Sequence, residues 1–158
     1  MLAGSLASSY HGEPRATQDF DIVVDPPSDE ALDQFVGSLD RELYVGDHRA
    51  ALARREPFNV IDVSSGWKVD LIVRRDRPYS RTEFERRQPA DIEGIPDYVA
   101  TAEDTILTKL EWARLDESER QFRDVEAIVR TVGDATSRSA CVRAMQPAEG
   151  AAEASDPT

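Results

Sequence analysis

Residues 19–24 read Asp-Phe-Asp-Ile-Val-Val, and this short run constrains the chain more than any other. Aromatic and β-branched residues favour a strand, and side chains on a strand alternate between its two faces. Asp19, Asp21 and Val23 therefore share one face, while Phe20, Ile22 and Val24 share the other. The apolar set can be buried, which leaves two carboxylates side by side at the end of a sheet. That arrangement is costly unless a cation neutralises it. All-oxygen ligands suit magnesium, which keeps several waters and is commonly shared between carboxylates and substrate phosphates.

The stretch that ends in this strand opens with Gly4-Ser5 and passes a loop marked by Gly12 and Pro14. A glycine that turns the chain into a helix lets the backbone approach a ligand closely, and the free amides of a helix start attract phosphate. Gly4 and Ser5 with Asp19 and Asp21 would hold a metal-bound triphosphate between them. Taken singly, a Gly-Ser pair is commonplace and two aspartates around one residue are more often a solvated strand face. A third carboxylate strengthens the combination. Residues 58–63 (FNVIDV) and 67–73 (WKVDLIV) flank Ser64-Ser65-Gly66 and read as a hairpin. In the second run Val69, Leu71 and Val73 share a face, leaving Lys68, Asp70 and Ile72 on the other. Asp70 is thus a charge inside an otherwise apolar strand.

In order along the chain, GSLASSYHGEPRATQDFDIVV, FNVIDV, KVDLIV and AEDTILTKLEW resemble the motifs of the polymerase-beta-type nucleotidyltransferase superfamily. They are similar to those of small bacterial nucleotidyltransferases of the abortive-infection (AbiE) toxin type. The likeness spans residues 2–133. It implies an α/β (α+β) polymerase-beta-like fold, with a small mixed sheet, helices packed on one face and a C-terminal helical pair. It also implies transfer of a nucleoside monophosphate from a nucleoside triphosphate, ATP among them, to an acceptor hydroxyl on RNA, tRNA or protein by a two-metal mechanism.

On that resemblance Asp19 and Asp21 bind Mg²⁺ (or Mn²⁺). Asp70, on a neighbouring strand, shares the second ion and helps deprotonate the acceptor. Gly4 and Ser5 cradle the outer phosphates, with Arg15 and Lys109 as further nucleotide-binding charges. Structural roles compete for these last two, a salt bridge from Arg15 to Glu13 or Asp19 and a surface position for Lys109. Asp124 is placed to orient Lys109 or Arg123. A toxin of this kind would have a cognate antitoxin as partner. Two alternatives stay open: a small hydroxylated acceptor of the antibiotic type, and a catalytically idle binding or regulatory relative.

The resembled family has a full apolar strand before the glycine-serine turn, whereas residues 1–3 alone precede it here. The expectation is either a start placed too far downstream or a stub that leaves a sheet edge open to a partner or a second copy. With 158 residues, 40% hydrophobic and 32% charged, the chain is expected to form one domain over residues 1–133, with an atypical, disordered tail over 134–158. No run approaches a membrane span and no signal peptide is legible, so a cytoplasmic location is expected. Cys141 stands alone and reads as an incidental thiol. The balance of 19 basic and 31 acidic residues, a net charge of −12, opposes a broad nucleic-acid surface. Only residues 74–87, with six arginines, offer a basic patch, either a solvated loop or a phosphate-facing surface.

Local signals complete the outline. Residues 5–10 read as a short helix followed by His11, an acid or base or else a cap or packing group. Ser28 caps a helix with Leu32, Phe35, Val36 and Leu39 inward; a brief strand at 43–45 and a helix at 49–55 follow. A loop over 89–96 leads to an edge strand at Tyr98 and Val99. Thr101 and Asp104 form a capping box for a helix to Leu115 with Ile106, Leu107 and Leu110 inward. Ser118 and Gln121 cap a second helix with Phe122, Val125, Ile128 and Val132 inward, stopped by Gly133. This antiparallel pair is expected against the sheet.

Overall fold

In chain order the elements are α1 (Gly4–His11), β1 (Asp19–Val24), α2 (Asp29–Ser38), β2 (Leu43–Val45), α3 (His48–Arg54), β3 (Pro57–Asp62), β4 (Lys68–Val73), α4 (Pro78–Glu85), β5 (Gln88–Ile92), β6 (Ile95–Val99), α5 (Ala102–Asp116) and α6 (Glu119–Val132). The computed structural model describes residues 1–17, 19–116 and 119–133; Ser118, Cys141 and the 134–158 segment lie outside the described residues. Among the described residues the chain is mixed α/β, with a four-stranded sheet of order β1-β4-β3-β2 and a two-stranded sheet, β5-β6. No described helix is long and apolar enough to cross a membrane.

β1 and β4 run parallel, and the remaining pairs of the larger sheet are antiparallel. The β1–β4 register sets Phe20, Ile22 and Val24 opposite Val69, Leu71 and Val73, so both apolar faces point the same way. Phe58 and Val60 of β3 join them through the β3–β4 register. Leu32 of α2 and Ala51 of α3 close this face into a core with Phe58, Val60, Leu71 and Val73. Each large aliphatic side chain fully buried there contributes roughly 1.5–3 kcal/mol. Ser28 accepts a hydrogen bond from the Ala31 amide at 3.2 Å, the cap expected of it. Phe35 departs from the expected inward stripe and is exposed, because α2 covers the sheet with the narrower Leu32-Val36-Leu39 face.

Residues 1–3 act differently from the open edge expected. The Ala3 amide donates to the Asp21 carbonyl at 2.9 Å and the Val23 amide to the Met1 carbonyl at 2.8 Å. On its other side Leu2 donates to Tyr98 and its carbonyl accepts from Ala100. The stub therefore pairs with β1 and β6 at once and stitches the two sheets together. Leu2, at 6% exposure, packs with Ala7, Ala90 and Val99. The stretch of β1 from Asp21 to Val23 has no free ladder groups there to template a second copy.

The region between β4 and α5 corrects the expected loop. Pro78 starts α4 at its first turn, where a missing amide costs nothing. β5 and β6 form a hairpin turned by Glu93 (φ 54°) and Gly94 (φ 85°), the positive-φ pair of a type I′ turn. Pro89 and Pro96 are tolerated because a two-stranded hairpin has outward edges. Five of the six arginines in this region are engaged: Arg74 with Asp25, Arg77 with Glu111, Arg81 with Asp76 and Arg86 with Asp104, while Arg87 stacks over Phe84 and Tyr98. Internal pairing thus uses the charge that a phosphate-facing surface would need.

Of the capping box expected at α5 the N-cap half forms, the Asp104 amide donating to Thr101 Oγ1 at 3.1 Å, while Asp104 Oδ2 accepts from the Thr101 hydroxyl at 2.7 Å in place of the Thr101 amide. Ile106 and Ile128 are buried between α5 and α6 with Leu110, Val125 and Val132, whereas Phe122 is exposed. Gly133, at φ 80°, ends α6. The principal contacts of this pair are with each other and with α1, which stands between them and β1. At Gly12 a side chain would meet the α6 backbone, 3.1 Å from the Ile128 nitrogen. His11 Nε2 donates to the Ala100 carbonyl at 2.6 Å, a packing role.

Candidate active site

The parallel β1–β4 ladder brings the carboxylates of two distant segments together. Its register pairs Asp19 with Lys68 and Asp21 with Asp70, and residues in register on adjacent strands share a face. Asn59 lies opposite Asp70 on β3 and adds an amide to that face. Asp21 and Asp70 are partly buried, and burial pushes the Asp21 carboxyl up from its ordinary value, with the Asp70 charge as the next cause. A hydrogen bond from the Ser5 amide and the Lys109 charge act in the opposite direction. Asp70 Oδ1 is buried and has no hydrogen-bond partner.

Gly4 is shaped by this site. It has φ 54°, and a Cβ there would fall 1.8 Å from Asp21 Oδ2, so glycine is required both for the turn and for the approach. The turn lets the first amides of α1 face Asp21, and Ser5 donates its amide to that carboxylate. Asp21 is thereby tied to the positive end of a helix.

Lys68 is a participant that sequence reasoning left unassigned. Its ammonium lies 2.9 Å from Asp70 Oδ2 and 3.4 Å from Asp19 Oδ1, and the Asp70 hydrogen bond is the main cause that raises the Lys68 pKa. Strand alternation already put Lys68 on the carboxylate face, the signal that would have found it. Asp19 is the outermost of the three carboxylates, 57% exposed against 21% for Asp70.

The donor chemistry fits a hard divalent cation: three carboxylates on one face, one of them with an unpartnered buried oxygen. Asp21 and Asp70 would hold it, with Asp19 alongside. Among the described residues, however, no three His, Cys, Asp or Glu side chains converge as a ready-made metal site. Instead the Lys68 ammonium sits between two of the carboxylates, Asp70 and Asp19.

Lys109 and Arg15 depart from the structural roles weighed for them. Lys109 is 6% exposed, so it is no surface lysine, and its ammonium donates to Asp124 Oδ2 at 2.7 Å. Asp124 is thus the residue that orients Lys109; Arg123 instead faces Glu119 at 3.6 Å. Arg15 pairs with Asp124 at 3.1 Å and donates to Ser5 Oγ at 3.0 Å, while Glu13 goes to Arg130 and Asp19 to Lys68. Arg120 of α6 also donates to Ser5 Oγ, at 3.3 Å. No sequence signal marked Arg120, because its tie to Ser5 spans 115 residues.

Compared with protein-family models the chain matches none, and compared with curated proteins it likewise finds no match.

Proposed function

We propose that this chain is a nucleotidyltransferase of the polymerase-beta type in fold and chemistry, transferring a nucleoside monophosphate from a nucleoside triphosphate to an acceptor hydroxyl. The observation that carries the reading is the in-register pair Asp21 and Asp70 across β1–β4, pressed against a glycine turn that admits no side chain. Carboxylates are rarely set beside each other in a half-buried site without a cationic or proton-transfer task.

In the reaction the acceptor oxygen attacks the α-phosphorus as the bond from that phosphorus to the bridging oxygen of the leaving pyrophosphate breaks. Bound Mg²⁺ or Mn²⁺ would neutralise phosphate charge and polarise the reacting oxygens. Asp70 Oδ1, free of hydrogen bonds, is the acceptor for the hydroxyl proton. Asp19 and Asp21 carry the ligand oxygens, and Gly4 and Ser5 line the outer phosphates with the amides of α1. Lys109 contributes its positive charge to Asp21 from behind, held by Asp124.

Incubation with labelled nucleoside triphosphates, Mg²⁺ or Mn²⁺ and total cell RNA, protein or hydroxylated small molecules tests the reading. Label should pass to one of these acceptor classes, and Asp70→Asn and Asp21→Asn should each abolish transfer. Undiminished transfer by Asp70→Asn would remove the proposal. RNA or protein as acceptor, with growth arrest relieved by a neighbouring gene product, would mark the toxin form and its antitoxin.

Lys68 favours a second reading, an idle relative in which an internal ammonium has replaced the divalent ion. Calorimetry separates the two. An enzyme gains triphosphate affinity on adding Mg²⁺, whereas the idle form shows none of that dependence.

A further inference from the structure

α4 is fixed to the domain without help from the apolar core. Ser80 is the buried residue of the helix, and among the described residues none of the three apolar clusters includes a side chain of α4. Polar ties to α5 hold it instead. Arg77, at the N-cap of α4, donates to both carboxylate oxygens of Glu111 at 2.8 and 2.9 Å, and Arg86, at the C-cap, pairs with Asp104. Between these ends Thr108 Oγ1 donates to Glu83 Oε1 at 3.3 Å, and the Tyr79 hydroxyl meets the carbonyl and the carboxylate of Asp104 at 3.4 Å. The flanks are anchored separately, Arg74 by Val24 and Asp25, and Ala90 by the cluster around Leu2.

Charge at this contact does not balance. Three carboxylates, Glu83, Asp104 and Glu111, meet two guanidiniums, and Arg77 and Arg86 pair with Glu111 and Asp104. Glu83 is left with a neutral hydroxyl. Burial and neighbouring like charge both disfavour its ionised form. Burial first, then the Asp104 charge, pushes the Glu83 carboxyl up to about 7; Glu111 acts in the same direction, while the Thr108 hydrogen bond and the Arg77 charge oppose it. The Tyr79 phenol beside it is held up by burial and by the charges of Glu83 and Asp104, with Thr108 and Arg86 opposing, and stays a neutral donor. Between about pH 4.5 and 7 the docked helix keeps a proton that a detached one releases. Docking is therefore firmest below that window, weakens as pH rises through it, and levels off above.

We propose that α4 is a pH-sensitive latch, docked on α5 while Glu83 carries its proton and opening more often, together with residues 75–88, once Glu83 is ionised beside Asp104 and Glu111. Solvent screening at this half-buried site limits the gain in the open population to about tenfold. Elements with few buried apolar contacts open well below the free energy of global unfolding, and α4 is such an element. The hairpin of β5 and β6 stays in place, because Leu2 holds β6. Opening uncovers α5 at Thr108, next in the chain to Lys109, whose charge acts on Asp21. The device is independent of the reaction assigned to the carboxylates.

Amide hydrogen exchange, followed by NMR on the full chain from pH 5 to pH 8 and divided by the intrinsic exchange rates, tests the latch. The amides of residues 82–86 should be about tenfold or more less protected than those of residues 125–128, around the fully buried Ile128 of α6, at every pH. Their protection should fall about tenfold between pH 5 and pH 8. Glu83→Gln, close in shape to the parent, should abolish that fall, whereas Glu85→Gln, an exposed carboxylate of the same helix, should keep it. Thr108→Val removes the hydroxyl that favours the charged carboxyl and should move the midpoint of the fall to higher pH. Equal protection of α4 and α6 would mean that α4 opens only with the whole domain and would overturn the proposal. So would protection of α4 that is the same at pH 5 and pH 8, a fall that persists in Glu83→Gln, or an unmoved midpoint in Thr108→Val.

Discussion

Gly4→Ala offers a direct test of how the site is built. The glycine sits at φ 54°, a conformation that costs an L-residue roughly 1–2 kcal/mol. The new methyl would also lie 1.8 Å from Asp21 Oδ2 and 2.6 Å from its Cγ, so the carboxylate must turn away. Turning breaks its hydrogen bond from the Ser5 amide, and a bond to a charged group contributes about 1.5–3 kcal/mol. Relief of the repulsion from Asp70 offsets part of that loss. The expected destabilisation is about 2–4 kcal/mol, a large fraction of the roughly 5–15 kcal/mol that holds a domain together.

Urea unfolding followed by the fluorescence of Trp67 and Trp112 measures it as a lowered midpoint with an unchanged slope. Gly37→Ala is the comparison, since a Cβ there meets nothing within 4 Å and the residue lies inside α2. It should stabilise by roughly 0.5–1 kcal/mol. In an Asp21→Gly background, which also removes the Cβ that would lie 2.9 Å away, the cost of Gly4→Ala should shrink to the backbone portion, about 1–2 kcal/mol. A Gly4→Ala protein within about 0.5 kcal/mol of the parent, or one equally harmed with and without Asp21, would refute the reasoning.

Glu83, on α4 facing Thr108 of α5, has its carboxyl pushed up to about 7 by burial and then by the Asp104 charge, against a hydrogen bond from Thr108 and the charge of Arg77. The folded protein thus keeps a proton that the unfolded chain releases, and stability should fall as pH rises from about 4.5 to 7. Partial solvent screening reduces the effect to about 1–2 kcal/mol; Glu83→Gln should flatten that slope in denaturation measured at pH 5 and pH 8, and an unaltered slope would contradict the assignment. Lys68→Met removes the ammonium between Asp70 and Asp19. Mn²⁺ titration should then show severalfold tighter binding, whereas weaker binding would mean that Lys68 does not compete for the carboxylates.

Local rules carried much of the outline. Alternation in residues 19–24 and 68–73 assigned the carboxylate face and the apolar face, and the caps at Ser28 and Thr101 formed as their side-chain chemistry requires. The hairpin of β5 and β6 is legible only at its Tyr98-Val99 end, because two prolines and several charges hide the alternation before it, although Glu93-Gly94 carries the turn signal. Arginine density in residues 74–87 suggested a surface for phosphate, but a run of like charges says nothing about the acids that fold beside it. Asp25, Glu111 and Asp104 come from three other segments.

The sequence by itself determined which side chains could share a face, because that depends on a two-residue period along one strand. Only the tertiary structure decided which strands became neighbours, at what register, and who neutralised whom. Asp21 meets Asp70, Arg120 meets Ser5 and Lys109 meets Asp124 across long chain separations. Such pairings follow from burial of the whole core and from competition among many possible ion pairs, a balance that no local pattern encodes. Residues 1–3 show the same division: as three letters they are too short to read as an element, and as folded backbone they join two sheets.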